Sequence, residues 1–259
     1  MRYDQIKLMN SHFFILTAPR SGSTVLTRTL DQHPEIFCAG ELFHPGDEIY
    51  HPEWHFPFWG TKKKKGILRK LFAVSNYING YLFAVKHIKK FYAARELNKN
   101  VRGFKLMVAH IKDFPTVWNY MRQNRFKVII LTRRNTFKEA LSSFRARQTG
   151  VFHSERHTEI MDQKVYVNAA LLKNRVDELE AINRSILDVT NGMDKLVIEY
   201  EDLDDWQNTL NKVFSFLDVD RIDMQPVLTK TSSNDWRDGV ENFKEVEDLL
   251  QTTYPHHLE

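Results

Sequence analysis

Cysteine is almost absent from this chain of 259 residues, where Cys38 stands alone. A lone cysteine excludes an intrachain disulfide and any multi-cysteine zinc site, so folding does not depend on an oxidising compartment. Long apolar runs are missing as well. A bilayer span needs about 18 or more uninterrupted apolar residues, and no such run occurs. Before Phe13 the chain is polar and charged, and the apolar run that follows is too short for the core of a secretory signal. These absences lead us to expect a soluble, cytoplasmic protein with no transmembrane segment. The 10 glycines and 8 prolines never gather into a linker, and no internal repeat is visible, so a single domain over 1–259 is expected. A strong excess of one charge is lacking too. The formal net charge is +4 and the pI near 9.0, which suits an anionic ligand without marking a nucleic-acid binder.

What is present concentrates first in F-F-I-L-T-A-P-R-S-G-S-T, residues 13–24. Phe13 to Thr17 is an apolar run of strand length, Pro19 and Gly22 break it, and Ser23 or Thr24 can cap a helix whose apolar positions are Val25, Leu26 and Leu30. A strand turning tightly into a helix leaves backbone N–H groups unpaired at the helix start, with the helix dipole behind them. Arg20, Ser21, Gly22, Ser23 and Thr24 surround that point with further donors. The stretch reads as a phosphate cradle, although the same pattern also serves as a plain connection in α/β proteins. No lysine precedes Ser23-Thr24, so the kinase-type cradle G-x-x-x-x-G-K-[ST] is not present and triphosphate hydrolysis is disfavoured.

Further strands are expected as a short extended piece at Ile36-Phe37-Cys38, at 101–108, at 126–132, the clearest buried run, and at 195–198. Helices are expected over 23–32, 114–124, from about 136 to Gly150, over 158–189 and over 202–217. Residues 46–61 have no period and read as an irregular loop facing the site; Lys62 to Lys65 form a basic run that reads as a solvated face, with a mixed helical segment after it. Residues 226–240 read as a polar loop. Strands alternating with helices predict an α/β fold, a three-layer arrangement with a central parallel sheet flanked by helices. Such sheets bind ligands beyond the carboxyl ends of their strands, where Arg20–Thr24, Lys105–His110 and Arg133–Ser142 all fall.

The pair A-P-R-S-G-S-T and L-T-R-R-N-T-F-K-E-A-L-S, about 110 residues apart in that order, resembles the two nucleotide signatures of sulfotransferases that use 3′-phosphoadenosine-5′-phosphosulfate, PAPS. The resemblance implies a P-loop-like sulfotransferase fold, with the first signature on the 5′-phosphosulfate and the second on the 3′-phosphate. In the second, an arginine after a strand is followed by a serine eight residues later, the separation of Arg134 and Ser142. Thr136 departs from the proline that many members carry there, which leaves the choice between Arg133 and Arg134 open. G-E-L-F at 40–43 resembles the stretch carrying a catalytic glutamate in the carbohydrate and tyrosylprotein branches. G-F-K-L-M at 103–107 and S-S-F-R-A-R-Q-T-G at 142–150 are similar to the bacterial carbohydrate branch, including trehalose- and Nod-factor-type enzymes, and V-I-E-Y-E-D-L at 197–203 to a late family motif.

Transfer of a sulfuryl group from PAPS to a hydroxyl needs a base for the acceptor proton and cations for the leaving phosphate of the product PAP, and the family requires no metal. The resemblance makes Glu41 the expected base, with burial in an aromatic cleft raising its pKa, and His110 and His44 the runners-up. Lys105 is expected to touch the transferred group. Arg20, Ser21, Gly22, Ser23 and Thr24, then Arg134 and Ser142, then Lys230, Thr231 and Ser232 with Trp236 and Arg237, are the expected nucleotide contacts. The acceptor is expected to be a saccharide or glycolipid bound by residues 46–100, an acceptor-side insertion. A P-loop-like kinase and a non-catalytic nucleotide-binding protein are the competing readings. Nucleic acid is not an expected partner, because aromatic and basic residues do not interleave in the lysine run.

Overall fold

Phe13 to Leu16 are fully buried with no polar residue between them, as befits a strand covered on both faces. The computed structural model describes residues 11–44, 50–57, 66–94, 99–150, 164–228 and 235–258. At its centre lies β1 (Ser11–Thr17), joined by β2 (Ile36–Glu41), β3 (Val101–Met107), β4 (Lys127–Thr132) and β5 (Lys195–Glu199) in the order β2-β3-β1-β4-β5. All four pairings are parallel. The carboxyl ends of the strands therefore share one edge, and the chain adopts the α/β architecture expected of it.

Alternate residues of β1 feed opposite layers, because successive strand side chains point to opposite faces. Phe14 and Leu16 enter a core completed by α2 (Gly66–Ala93) and α4 (Pro115–Gln123), through Ala84, Ile88, Phe91, Val117, Trp118 and Met121. Phe13 and Ile15 face α1 (Ser23–Asp31) and α7 (Trp206–Leu217), through Leu26, Leu30, Leu210, Val213 and Phe214. Each such side chain contributes about 1.5–3 kcal/mol by leaving water. A third cluster joins α5 (Thr136–Thr149), α6 (Ala169–Val189) and α8 (Phe243–Thr253) around Phe137, Leu141, Leu172, Val176 and Leu250. A short α3 (Ala109–Asp113) follows β3 directly.

Three elements depart from expectation. The short extended piece at 36–38 is a six-residue strand, β2, pairing with β3 through a bulge between Ala39 and Glu41. Of the helix expected over 158–189, residues 158–163 lie outside the described residues and 164–168 are not helical; α6 starts at Ala169, where Asn168 caps it, accepting from the Leu171 N–H at 3.0 Å, and Val165 pairs with Val240. Helix α8 lies in a stretch with no predicted structure, and its buried Val246 and Leu250 anchor it. The basic run Lys62–Lys65 and part of the loop at 46–61 lie outside the described residues. Among the described residues no helix is long and apolar enough to cross a membrane.

Candidate active site at the carboxyl edge of the sheet

The first signature folds as a strand, a five-residue loop and a helix. Thr17 ends β1 and donates from Oγ1 to the Leu131 carbonyl at 2.8 Å, tying the loop to β4; the same oxygen touches Ser21 Oγ. Ser21 Oγ donates to the Ala18 carbonyl at 3.0 Å. Two residues then take left-handed backbone, Arg20 at φ 69° and Gly22 at φ 80°. That conformation is ordinary for glycine and uncommon for arginine, so the loop holds Arg20 in a conformation that costs energy, as functional loops do. A Cβ on Gly22 would lie 2.8 Å from a ring carbon of Tyr200, so the position admits no side chain. Gly22 caps α1, whose first amides belong to Ser23 and Thr24. Arg20 reaches across the loop, its Nε donating to Ser142 Oγ at 3.1 Å. This bond joins the two signatures, 122 residues apart in the chain.

On the β2–β3 side the bulge decides the geometry. Ala39 pairs with Phe104 and Glu41 with Lys105, so two residues of β2 oppose one of β3 and Gly40 is the extra one. Lys105 and Glu41 thereby meet, Nζ to Oε1 at 2.8 Å, with side chains 9 % and 21 % exposed. Lys105 Nζ also donates to Thr24 Oγ1 at 3.3 Å. A carboxylate, an ammonium and the hydroxyl of the second helical residue of α1 thus converge at the cradle. Burial alone would raise the Glu41 carboxyl, but Lys105, by charge and hydrogen bond, and His44 and His110, by charge, hold it below the ordinary range. The expected upward shift is therefore corrected: register places a cation against this carboxylate, and the cation wins. His110, on α3, has a pKa lowered by burial, with the Glu41 charge opposing, and its buried Nδ1 has no hydrogen-bond partner.

At the second signature the two arginines part. Arg134 is 67 % exposed and bonds Glu199 Oε2, from Nε at 2.8 Å and from a terminal guanidinium nitrogen in closer contact. Arg133 lies over the Tyr200 ring, Cζ 4.3 Å from its centroid, and its buried Nε has no hydrogen-bond partner. The Tyr200 ring touches Gly22, so Arg133 stacks on a wall of the cradle and Arg134 turns to its rim. The V-I-E-Y-E-D-L motif acts as the clamp. Glu201 accepts the backbone N–H groups of Arg134 at 3.0 Å and Asn135 at 3.2 Å, and Asp202 accepts the Glu199 N–H at 2.9 Å. Asn135 then caps α5, accepting from the Lys138 N–H at 2.9 Å.

Behind this loop, one turn before Ser142, Glu139 is fully buried and neither carboxylate oxygen has a hydrogen-bond partner. Burial pushes its pKa up to about 8, against the opposing charges of Arg133, Arg175 and Arg20. Burial, followed by the charge of Arg133, also pushes Arg20 down. On the C-terminal side, Lys230, Thr231 and Ser232 lie outside the described residues. Trp236 packs edge-on against Phe137 of α5, centroids 5.7 Å apart, and Arg237 is held by Glu247 at 2.9 Å and Asp235 at 3.2 Å.

A family model described as the sulfotransferase family matches residues 12–223. The chain belongs to the sulfotransferase family. This sulfotransferase therefore catalyses sulfuryl transfer, and its family membership implies PAPS as co-substrate. Among solved structures it is similar to a sulfotransferase of Alicyclobacillus acidocaldarius, at 18 % identity over 93 % of this chain and 94 % of that one, TM-score 0.48. It is also similar to the sulfotransferase domain of a Synechococcus olefin synthase, at 22 % identity over 91 % and 82 %, TM-score 0.47. A mouse sulfotransferase, SULT7A1, solved with PAP, matches at 13 % identity over 96 % and 65 %, TM-score 0.45. No curated protein matches significantly.

Sequence reading of this sulfotransferase missed Tyr200 and Glu139. The signal for Tyr200 lay inside the quoted late motif, whose middle residue faces the first signature. For Glu139 there was a helical-face signal, since Phe137, Ala140 and Leu141 of the same first turns are all apolar and buried.

Proposed function

We propose that this sulfotransferase moves the sulfuryl group of PAPS to a hydroxyl of a glycolipid or saccharide, with Glu41 as general base. The observation that carries the reading is the 2.8 Å Glu41–Lys105 pair set beside Thr24 at the helix start. PAPS supplies a sulfuryl group on a phosphate that leaves as an anion. The donors fit such a group: Arg20, the amides of Ser23 and Thr24, Ser142, and Arg133 with its unpartnered Nε. Arg133 is the better candidate than Arg134 for the 3′-phosphate, because Arg134 is spent on Glu199 at the rim.

Lys105 gives the base a switch. Paired with Lys105, Glu41 is ionised at neutral pH and ready to accept a proton, but weakly basic. When an anion at Thr24 draws the ammonium away, Glu41 loses its largest stabilising charge and its basicity rises while the acceptor hydroxyl is beside it. His110, half-buried and with its pKa lowered by burial, is the second group that can take this proton.

The acceptor face supports a partly apolar substrate. Helix α2 is held to the loop after β2, His87 Nε2 to the Trp54 carbonyl at 2.7 Å, and the Phe43 and His87 rings lie 6.4 Å apart. Between one and four turns earlier α2 exposes Val74, Ile78, Tyr81 and Leu82, each by half or more. A lipid tail suits that surface better than a bare sugar does.

Isothermal calorimetry with PAP and turnover with labelled PAPS test the reading together. Wild type is expected to bind PAP, and Glu41→Gln to bind it equally while losing transfer. Near-full transfer by Glu41→Gln would move the base to His110. Mass spectrometry of glycolipid and oligosaccharide pools incubated with labelled PAPS reads the acceptor; label on phenolic compounds alone would overturn that part.

A further inference from the structure

Away from the strand edge, a carboxylate and two imidazoles converge on one point. Glu180 is on the middle of α6, and His256 and His257 are on the 3-10 turn Pro255–His257 that follows α8. Glu180 Oε1 lies 3.0 Å from His256 Nε2 and 3.3 Å from His257 Nε2, and the three donor atoms all lie within 4.8 Å of one another. Two ligands on a tetrahedral ion, each about 2.0–2.2 Å from it, are separated by about 3.3 Å. The two Glu180 contacts match that separation.

A ring nitrogen carries one proton or one lone pair, and His257 Nε2 faces both Thr136 Oγ1 at 2.7 Å and Glu180 Oε1 at 3.3 Å. It can serve as a ligand only in the tautomer protonated at Nδ1 and with the Thr136 hydroxyl proton turned away from it, so metal and hydroxyl proton compete for one lone pair. The donors are also held in place independently of any ion. The Asn135 amide donates to the His257 carbonyl at 3.0 Å, Tyr254 OH donates to the Lys173 carbonyl at 3.1 Å and to Asp177, and the Arg184 guanidinium stands 3.7 Å from the other Glu180 oxygen. His257 is buried and His256 exposed, so one side of the cluster is closed by protein and the other open to water.

We propose that Glu180, His256 and His257 form a binding site for a divalent transition metal of the zinc class, with water completing the coordination. Two imidazoles and one carboxylate select zinc or nickel over magnesium, which prefers oxygen ligands and keeps its water shell. The site is separate from sulfuryl transfer and needs no part of the reaction. Its place is structural: it closes the C-terminal turn onto α6 and onto Thr136 at the start of α5, behind the second signature.

Calorimetric titration of the full chain with zinc chloride, in a buffer free of chelators, tests this. One zinc per chain in the micromolar range or tighter is expected, with no binding of magnesium. Because His257 is buried and its loss could unfold the turn, the decisive variants are His256→Ala and Glu180→Gln, each expected to weaken zinc at least 30-fold while circular dichroism stays unchanged. Cobalt, a coloured substitute, is expected to give a tetrahedral visible spectrum in wild type and to lose it in both variants. No stoichiometric zinc, or zinc bound equally by wild type and both variants, would overturn the proposal, the second outcome by placing the metal on other histidines.

Discussion

Two carboxylates flank the cradle and reach opposite ends of the titration scale. On the acceptor side Glu41 is half-buried, bonded to Lys105, and shifted down. On the nucleotide side Glu139 is fully buried, with no bond to either oxygen, and shifted up to about 8 although Arg133, Arg175 and Arg20 contribute opposing charge. In both, burial is the largest influence and acts upward, more completely for Glu139. A cation in direct contact overcomes that influence, whereas cations nearby but unbonded do not. Proximity of charge is therefore a poor guide to ionisation in this protein, and the hydrogen bond decides.

The contrast can be broken in order of expected size. Glu41→Gln removes the base without removing volume, and transfer should fall about 10²–10⁴-fold with PAP affinity within twofold by calorimetry. Arg133→Ala should weaken PAP about 10–100-fold, the worth of a charged hydrogen bond to phosphate, while Arg134→Ala should change it less than about threefold because its ion pair is at the solvent-exposed rim. The reverse ranking would return the 3′-phosphate to Arg134.

Lys105→Ala leaves the half-buried Glu41 without its cation and should destabilise the fold by about 1–3 kcal/mol near neutral pH. The sign follows from the shift: a carboxyl lowered on folding contributes stability above its unfolded pKa, and that contribution is lost as pH falls through the folded value. The gap between wild type and Lys105→Ala in urea unfolding should accordingly close toward acid. Glu139→Gln should behave oppositely. A carboxyl raised on folding keeps full stability below its unfolded pKa, here the ordinary 4.5, and loses it as pH rises through about 8. Glutamine escapes that loss, so the variant should be the more stable protein at pH 7, by at most ~3 kcal/mol, and equal to wild type near pH 4. A gap that does not vary with pH would show that folding leaves the Glu139 carboxyl unshifted.

Much of the sheet was legible because buried parallel strands are uninterrupted apolar runs. Phe13–Thr17 and 126–132 stood out for that reason, and Gly22 with its neighbours marked the turn. The edge strand β2 was read too short, because Gly40 and Glu41 resemble loop residues until a bulge is known to hold them in register. Helix α8 left no early mark, because its apolar face is narrow and its neighbours are charged. Within the site, the sequence singled out Arg20, Ser142, Glu41 and Lys105, and the structure brings them together as two bonded pairs, Arg20 with Ser142 and Glu41 with Lys105.

Residue identity and spacing by themselves determined the α/β layering, the two signatures and the membership in a sulfotransferase family, since those depend on local periodicity and on motifs a few residues long. Tertiary structure decided which way each charge points. Arg133 and Arg134 are neighbours with the same side chain, and only the docking of Glu199 at the end of β5 and of Tyr200 just after it turns one to the cradle and the other to solvent. Glu41 is basic or acidic only in relation to Lys105, about sixty residues away and brought beside it by a one-residue bulge. Electrostatics acts through distance and burial, and neither is written in a chain until it has folded.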